Sequence, residues 1–210
     1  MQTKKQKTMK KIAFLITLSV LTLFAMATNP HTDHVRVDSE KSTVKWKGSK
    51  ITEGHEGFVQ IQEGVLMIDH GTLVGGQISI NMNSISNTDM EGRMKARIEG
   101  HLKSDDFFYV EKFPISTLKI REVIKKSTPE GDMTSSYDVV ADLTIKGITN
   151  IIEFVADINI NKVEFSATAK IKIDRTQWDI KYHSGNYVKD LGDKLILDEI
   201  EFDISLVSVK

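Results

Sequence analysis

Residues 163 to 173 alternate apolar and polar side chains without interruption, and this pattern constrains the fold more than any other feature of the chain. Val163, Phe165 and Ile171 belong to the apolar set, whereas Glu164 and Lys170 belong to the polar set. Successive side chains of a β-strand point to opposite faces, so the pattern predicts a strand with one buried and one solvated face. Half-buried strands of this kind are typical of antiparallel sheets.

The same alternation recurs along the chain and predicts an all-β protein with about eight or more antiparallel strands. The predicted strands cover residues 35–37, 43–47, 58–62, 65–68, 73–83, 114–123, 137–145, 152–158, 163–173 and 196–206. We expect one hairpin turn at Glu63-Gly64 and another at Lys146-Gly147. So many half-buried strands must stack as two sheets or close into a barrel. The interior of an eight-stranded barrel is either filled by side chains or holds one slender ligand, and alternation alone leaves both possibilities open.

One segment departs from the strand period. Thr88-Asp89-Met90-Glu91 fits a capping box, in which Thr88 and Glu91 would satisfy backbone amides at a helix start. The residues that follow predict an amphipathic helix near residues 89–103. Its apolar stripe could plug one end of the sheet or cover a cavity as a lid, and the unbranched methionines favour a lid slightly. The stripe consists of Met90, Met94, Ile98 and Leu102.

The first 27 residues have the features of a secretory signal peptide. Lys10 and Lys11 precede an apolar run at residues 12–24, and Ala25-Met26-Ala27 is a small-x-small cleavage site. The run is shorter than the roughly 20 apolar residues of a membrane span. We therefore expect cleavage after about Ala27, export, and a single mature domain at residues 28–210.

Composition and motifs argue against several classes of function. Loss of residues 1–27, which contain five lysines, changes the formal net charge from −1 to −6. Because basic and acidic residues are interleaved, we do not expect nucleic acid binding. The chain has no cysteine, so disulfides and thiol chemistry are excluded. No motif of an established catalytic class is present, and His31 with His34 resembles a surface pair more than a metal site. We expect no catalytic residue, no metal and no cofactor.

Three segments make the chain recognisable. GHLKSDDFF at residues 100–108, continued by EKFP at 111–114, resembles the HLKSxDFFDVEKFP signature of the YceI-like family. DLTIKGIT at residues 142–149 is similar to the LTIKGVT strand and turn of that family. FSA at residues 165–167, leading to DRTQW at 174–178, is similar to its closing segment. The matching features run in order from about Val35 to Val209.

This resemblance implies a lipocalin-like antiparallel β-barrel that is exported to the periplasm. It also implies an apolar tunnel for a long isoprenoid chain, such as a polyprenyl or quinone-like tail, and no catalytic centre. The chain departs from the family at Glu99-Gly100, where many members carry Arg-Asp. Any headgroup contact made by that arginine cannot be transferred to this chain.

The function predicted from the sequence is therefore non-catalytic binding of an isoprenoid-type lipid, for transport, storage or stress response. A solid-core envelope barrel that acts as an interaction protein is the main alternative, and an enzyme acting on an isoprenoid-linked substrate is a further one. Transient membrane contact and a homodimer remain open. Possible headgroup contacts are His101 and Arg175. The candidate tunnel residues are Ile78, Ile80, Met82, Met90, Met94, Ile98, Phe107, Phe108, Leu143, Phe154, Phe165, Trp178 and Phe202.

Overall fold

The computed structural model of the protein describes residues 32–126, 134–161 and 164–209. The predicted signal peptide lies outside these residues, as does His31. The described residues form nine β-strands, one α-helix and two short 3-10 helices, the latter at Arg175–Trp178 and Gly192–Lys194. The other elements are β1 (Thr32–Arg36), β2 (Thr43–Lys50), β3 (Gly54–Asp69), β4 (Thr72–Asn87), α1 (Gly92–Lys103), β5 (Ile115–Lys125), β6 (Thr134–Ile145), β7 (Ile148–Ile160), β8 (Phe165–Asp174) and β9 (Ile196–Val207).

Strands β2 to β9 close into an eight-stranded antiparallel barrel. Each strand pairs with the next, and β9 pairs with β2 to complete the circle. The short strand β1 pairs with the second half of β3, along the same edge that β2 occupies on its first half. The predicted all-β barrel of about eight strands is confirmed, and so is the helix predicted near residues 89–103, which lies between β4 and β5.

The hairpin predicted at Glu63-Gly64 is wrong, because both residues lie inside the long strand β3. Gly64 is a glycine for a different reason. A Cβ atom at this position would lie 2.8 Å from Cγ2 of Val37, whose amide donates a hydrogen bond to the Gly64 carbonyl. The turn predicted at Lys146-Gly147 is confirmed, with φ angles of 51° and 73° that fit a tight β-hairpin turn.

Helix α1 begins later than its predicted start, and the predicted capping box is wrong. The N-cap residue is Glu91, whose side chain makes no capping hydrogen bond. The Thr88 hydroxyl donates instead to the carbonyl oxygen of Glu56, on the neighbouring strand β3. The segment before α1 is therefore held by the barrel edge, and the amphipathic stripe continues through Met94, Ile98 and Leu102.

The two ends of the barrel differ in their connections and in their packing. The helix end carries the β2–β3 connection, the helical β4–β5 connection, the β6–β7 turn and the long β8–β9 connection at residues 175–195. The opposite end, here called the packed end, is filled by large buried side chains from both sides of the barrel. These include Ile61, Leu66, Ile68, Leu73, Tyr137, Val139, Ile158 and Phe165.

Candidate functional site: a cavity beneath the helix

A cavity of about 990 Å³ lies inside the barrel and extends from the helix end as far as Val44 and Leu206, near the opposite ends of β2 and β9. This volume lies at the upper end of the roughly 300–1,000 Å³ range of small-molecule sites in proteins. Most of the lining residues are apolar, and β4, β9 and α1 contribute many of them, while Trp46 lines the cavity from β2. The barrel is therefore hollow in one part and solid in another, so the fully solid interior left open by the sequence is not what the structure has.

Most of the apolar residues predicted from the sequence lie in the cavity wall, and three do not. The structure places ten of the thirteen around this space: Ile78, Ile80, Met82, Met90, Met94, Ile98, Phe107, Phe108, Leu143 and Phe202. Phe154, Phe165 and Trp178 are outside the wall. Alternation determines which face of the sheet a residue occupies but not its position along the barrel axis, and two of the three exceptions follow from that.

The three exceptions have structural roles. Phe154 lies opposite Val139 in the β6–β7 ladder and packs against the core of the solid part of the barrel. Phe165 begins β8 at the packed end, and its amide donates a hydrogen bond to the Ser208 hydroxyl. Trp178 is almost completely buried in the 3-10 helix at the helix end. Its indole Nε1 donates to the Leu143 carbonyl at 3.0 Å, which closes the barrel beside the cavity.

Helix α1 covers the cavity and packs against the core only through the partly buried Leu102. No residue of α1 is buried, and Met94 is 52 % exposed although it lies in the cavity wall. An amphipathic helix normally buries its apolar stripe against neighbouring elements. Here Met94, Ile98 and Leu102 all line the cavity, an arrangement that favours a lid over a plug.

The segment that leads into α1 is held by a buried polar cluster around Asn87. The Asn87 side chain donates to the Glu56 carbonyl and to Asp89, and it accepts from the Met90 amide at 2.9 Å. The Asn87 amide donates to Glu99 Oε1 at 2.8 Å. Glu99, at the position where the chain departs from the family pattern, therefore ties the helix to the end of β4.

The cavity opens to solvent between three segments, which together form the mouth. They are the β2–β3 connection at residues 49–53, the helix α1, and residues 182–197. Lys50 pairs with Glu53 at 2.7 Å, while Arg97 and Lys194 add further positive charge to the cavity wall. Ile51, at the tip of the β2–β3 connection, is 65 % exposed. The mouth thus combines exposed apolar side chains with charges of both signs, because Glu53 and Asp193 also lie in the cavity wall.

His101 lies in the cavity wall within an aromatic cluster. Its ring centroid is 4.5 Å from that of Tyr182 and 5.4 Å from that of Phe107, both in edge-on geometry. Its Nδ1 is 3.9 Å from Asp106 Oδ2, which is too long for a hydrogen bond. Burial lowers the pKa of His101 despite the attraction of the Asp106 carboxylate. Burial therefore favours the neutral form of this imidazole.

Arg175 was predicted as a possible headgroup contact, but its hydrogen-bonding groups are committed to the protein. The residue is fully buried, although it contributes to the cavity wall. Its nitrogens donate to the backbone carbonyls of Leu197, Ile180 and Ile196 at 3.2, 2.8 and 3.1 Å. It also lies 3.1 Å from Asp198 Oδ1. Arg175 thus fixes the β8–β9 connection over the barrel, because a buried guanidinium is tolerated only when it is paired.

Ser116 is a cavity residue that the sequence reasoning missed. It is 5 % exposed, and its hydroxyl oxygen has no hydrogen-bond partner among the described residues. Ser116 and Leu118 share the inward face of β5, and both lie in the cavity wall. A small polar residue at an inward position was the available signal. Tyr182, also missed, lies in an irregular connection where no periodic pattern exists.

No group of three or more histidine, cysteine, aspartate or glutamate side chains within the described residues is placed to hold a metal ion. Within the same residues, helices that could cross a membrane are not found.

Comparisons with known proteins agree with this architecture. The chain is similar to BcnA of Burkholderia cenocepacia, with 19 % identity and a TM-score of 0.60 over 82 % of this chain and 99 % of that one. It is also similar to a polyisoprenoid-binding domain from Saccharophagus degradans implicated in plant cell wall breakdown, with 14 % identity and a TM-score of 0.59 over 84 % and 98 % of the two chains. No curated protein matches at a significant level. The sequence pattern of the YceI-like domain matches residues 36–208, and the chain therefore belongs to the YceI-like family.

Proposed function

We propose that this protein binds a long isoprenoid-type lipid, such as a polyprenyl or quinone-like tail, in the cavity beneath α1. The observation that carries this proposal is the apolar cavity of about 990 Å³ in a barrel that is otherwise well packed. The structural similarity to a polyisoprenoid-binding domain supports it through the shared fold. Protein interiors are close-packed, so an empty apolar space of this size requires an explanation, and a removable occupant supplies one.

Burial of the tail supplies the driving force for binding. Apolar surface removed from water contributes about 25 cal/mol per Å², so about 300 Å² of buried tail contributes about 7 kcal/mol before association costs. Met82, Met90 and Met94 in the wall adapt their shape easily and suit a chain that bends. This interaction requires no reaction of the lipid, and we propose a binding role without catalysis.

We further propose that the protein acts after export to the periplasm. The basic, apolar and small-residue pattern of residues 1–27 supports export. A cargo of this kind resides in membranes, so loading requires transient contact with a lipid surface. Exposed Ile51, Met94 and Leu197 at the mouth, with Lys50, Arg97 and Lys194 nearby, are suited to such contact with anionic lipid.

Cargo analysis tests the proposed function. The full-length protein would be purified from its own cell envelope without detergent, and solvent extracts would be examined by mass spectrometry. We expect a polyprenyl or quinone mass in a ratio near one per chain, and an N-terminus near residue 28. Protein that is recovered empty, and that also fails to take up an added prenol, would refute lipid binding.

A matched pair of glycine variants separates specific from non-specific lipid. Gly48 lies in the cavity wall, and a Cβ atom there would have no other atom within 4 Å. Gly100 is equally unobstructed but lies on the exposed side of α1. We expect Gly48→Phe to place its ring in the cavity and reduce bound lipid, whereas Gly100→Phe retains it. Equal lipid in both variants would show that the lipid binds outside the cavity.

A further inference from the structure

Two polar atoms in the cavity wall have no hydrogen-bond partner among the residues that the structure describes. Four buried side-chain polar atoms lack a hydrogen bond there, and two of them, Ser116 Oγ and His101 Nε2, belong to cavity residues. The others belong to Asp142 and Asp198, and the Asp198 oxygen faces the Arg175 guanidinium. Two of these four atoms therefore belong to residues of the cavity wall, where a ligand could supply the missing partner.

Buried polar groups in folded proteins are nearly always hydrogen-bonded, so an exception requires an explanation, such as a functional role or a bound molecule. Ser116 is the stronger case, because only 5 % of the residue is exposed and its face of β5 is turned to the cavity. A hydroxyl can donate and accept, and a neutral imidazole nitrogen does one or the other according to its tautomer. Each of the two groups can therefore hydrogen-bond an oxygen atom of a ligand.

The charges around the cavity determine which oxygen-bearing group fits. Arg175, the buried cation of the wall, already donates to three backbone carbonyls and pairs with Asp198. A phosphate beside Ser116 would lose its hydration without gaining a free cation, which is costly. Lys50, Arg97 and Lys194 lie instead at the mouth. A charged group belongs there, and a neutral one belongs inside.

We propose that the cargo carries a neutral oxygen group, a hydroxyl or a carbonyl, that lies inside the cavity and hydrogen-bonds to Ser116 and His101. This inference rests on the proposed lipid-binding function and narrows its ligand class to prenols and quinone-like molecules. Prenyl phosphates would bind with their charged end at the mouth and would not use Ser116.

Three probes with the same saturated isoprenoid chain test this inference: phytanol, phytane and phytanyl phosphate. Their dissociation constants would be measured by displacement of a fluorescent apolar reporter from the wild-type protein and from Ser116→Ala. We expect phytanol to bind the wild-type protein about 3- to 10-fold more tightly than phytane, which is the value of one or two modest hydrogen bonds. Ser116→Ala should remove much of this advantage and leave phytane and phytanyl phosphate unchanged.

Control variants distinguish the proposed contact from a structural effect. Ser79 is a buried serine outside the cavity wall, so Ser79→Ala should keep the phytanol advantage. His101→Phe should reduce it, whereas His101→Gln, which keeps a polar group near the position of Nε2, should restore part of it. Ser116→Ala should not lower Tm, because its hydroxyl has no partner in the described protein.

Each result has one meaning. Equal binding of phytanol and phytane to the wild-type protein would overturn the inference and leave the proposed function intact. A lower Tm in Ser116→Ala, or equal loss of phytanol and phytane, would assign Ser116 a structural role and overturn it as well. Failure of all three probes to bind the wild-type protein would refute the proposed function, and this inference with it.

Discussion

Replacement of Arg175 by methionine should destabilise the protein strongly. Methionine keeps similar length and apolar volume but removes all donors. Three backbone carbonyls, of Leu197, Ile180 and Ile196, would lose their guanidinium donor, and Asp198 would lose its ion-pair partner at 3.1 Å. Breaking a buried charged network of this kind typically costs about 3–5 kcal/mol. In a domain of this size that corresponds to a decrease in Tm of about 6–20 °C.

Thermal unfolding followed by circular dichroism, supported by urea titration, measures this effect. Arg121 provides the matched control, because its ion pair with Asp142 at 2.7 Å lies on the barrel surface and its side chain is 54 % exposed. Arg121→Met should change the free energy of unfolding by less than about 1 kcal/mol.

The same variant distinguishes a structural arginine from a ligand-binding one. If Arg175 served mainly as a headgroup contact, Arg175→Met would lose affinity for phytanyl phosphate while its Tm stayed close to that of the wild-type protein. A decrease in Tm of less than about 2 °C, no larger than that of Arg121→Met, would refute the role assigned here.

Two further predictions concern the lid and the aromatic cluster. Met94→Glu should weaken the binding of phytane severalfold with little change in Tm, because Met94 is 52 % exposed while lining the cavity; a titration and a melting curve check both, and unchanged affinity would argue against a lid. Burial lowers the pKa of His101 below its ordinary value of 6.5. As pH falls, His101 therefore takes up its proton in the unfolded chain before it does so in the folded protein. Stability contributed by the neutral imidazole is therefore complete above about pH 7 and decreases below pH 6.5 until the folded pKa is passed. Urea titrations between pH 7.5 and 5 should show a smaller loss for His101→Phe than for the wild-type protein, and equal losses would contradict this assignment.

The sequence predicted the faces of the strands well because side-chain alternation follows directly from backbone geometry. Ile78, Ile80 and Met82 were assigned to the interior from their phase alone, and all three lie in the cavity wall. The stripe of α1 was equally readable, since Met94 and Ile98 recur at the helical period.

The position of a residue along the barrel axis, and the hydrogen-bond partners of a buried polar side chain, could not be predicted in the same way. Phe154 shares its phase with Ile152, yet Ile152 lines the cavity and Phe154 packs against the solid core. Nothing local to a strand encodes how far along the barrel the empty space extends. The role of Arg175 depends on backbone carbonyls as many as 22 residues away. The side-chain pattern of an irregular connection does not predict where its carbonyl groups lie. Gly64 resembled a turn residue because close chain approach and turning favour the same amino acid.

Leu66, Tyr137, Ile158 and Phe165 fill the packed end, and this affects how a ligand could enter and leave the barrel. Among the described residues, these side chains narrow the interior at that end, so the mouth beneath α1 is the route by which a ligand of the proposed kind would enter and leave. If the lipid tail is longer than the cavity, the remainder of the tail would extend beyond the mouth and stay exposed to solvent. A lipid bound as proposed would then be loaded and released at the same end of the barrel, so the membrane that supplies it and the membrane that receives it would have to contact the same surface in succession.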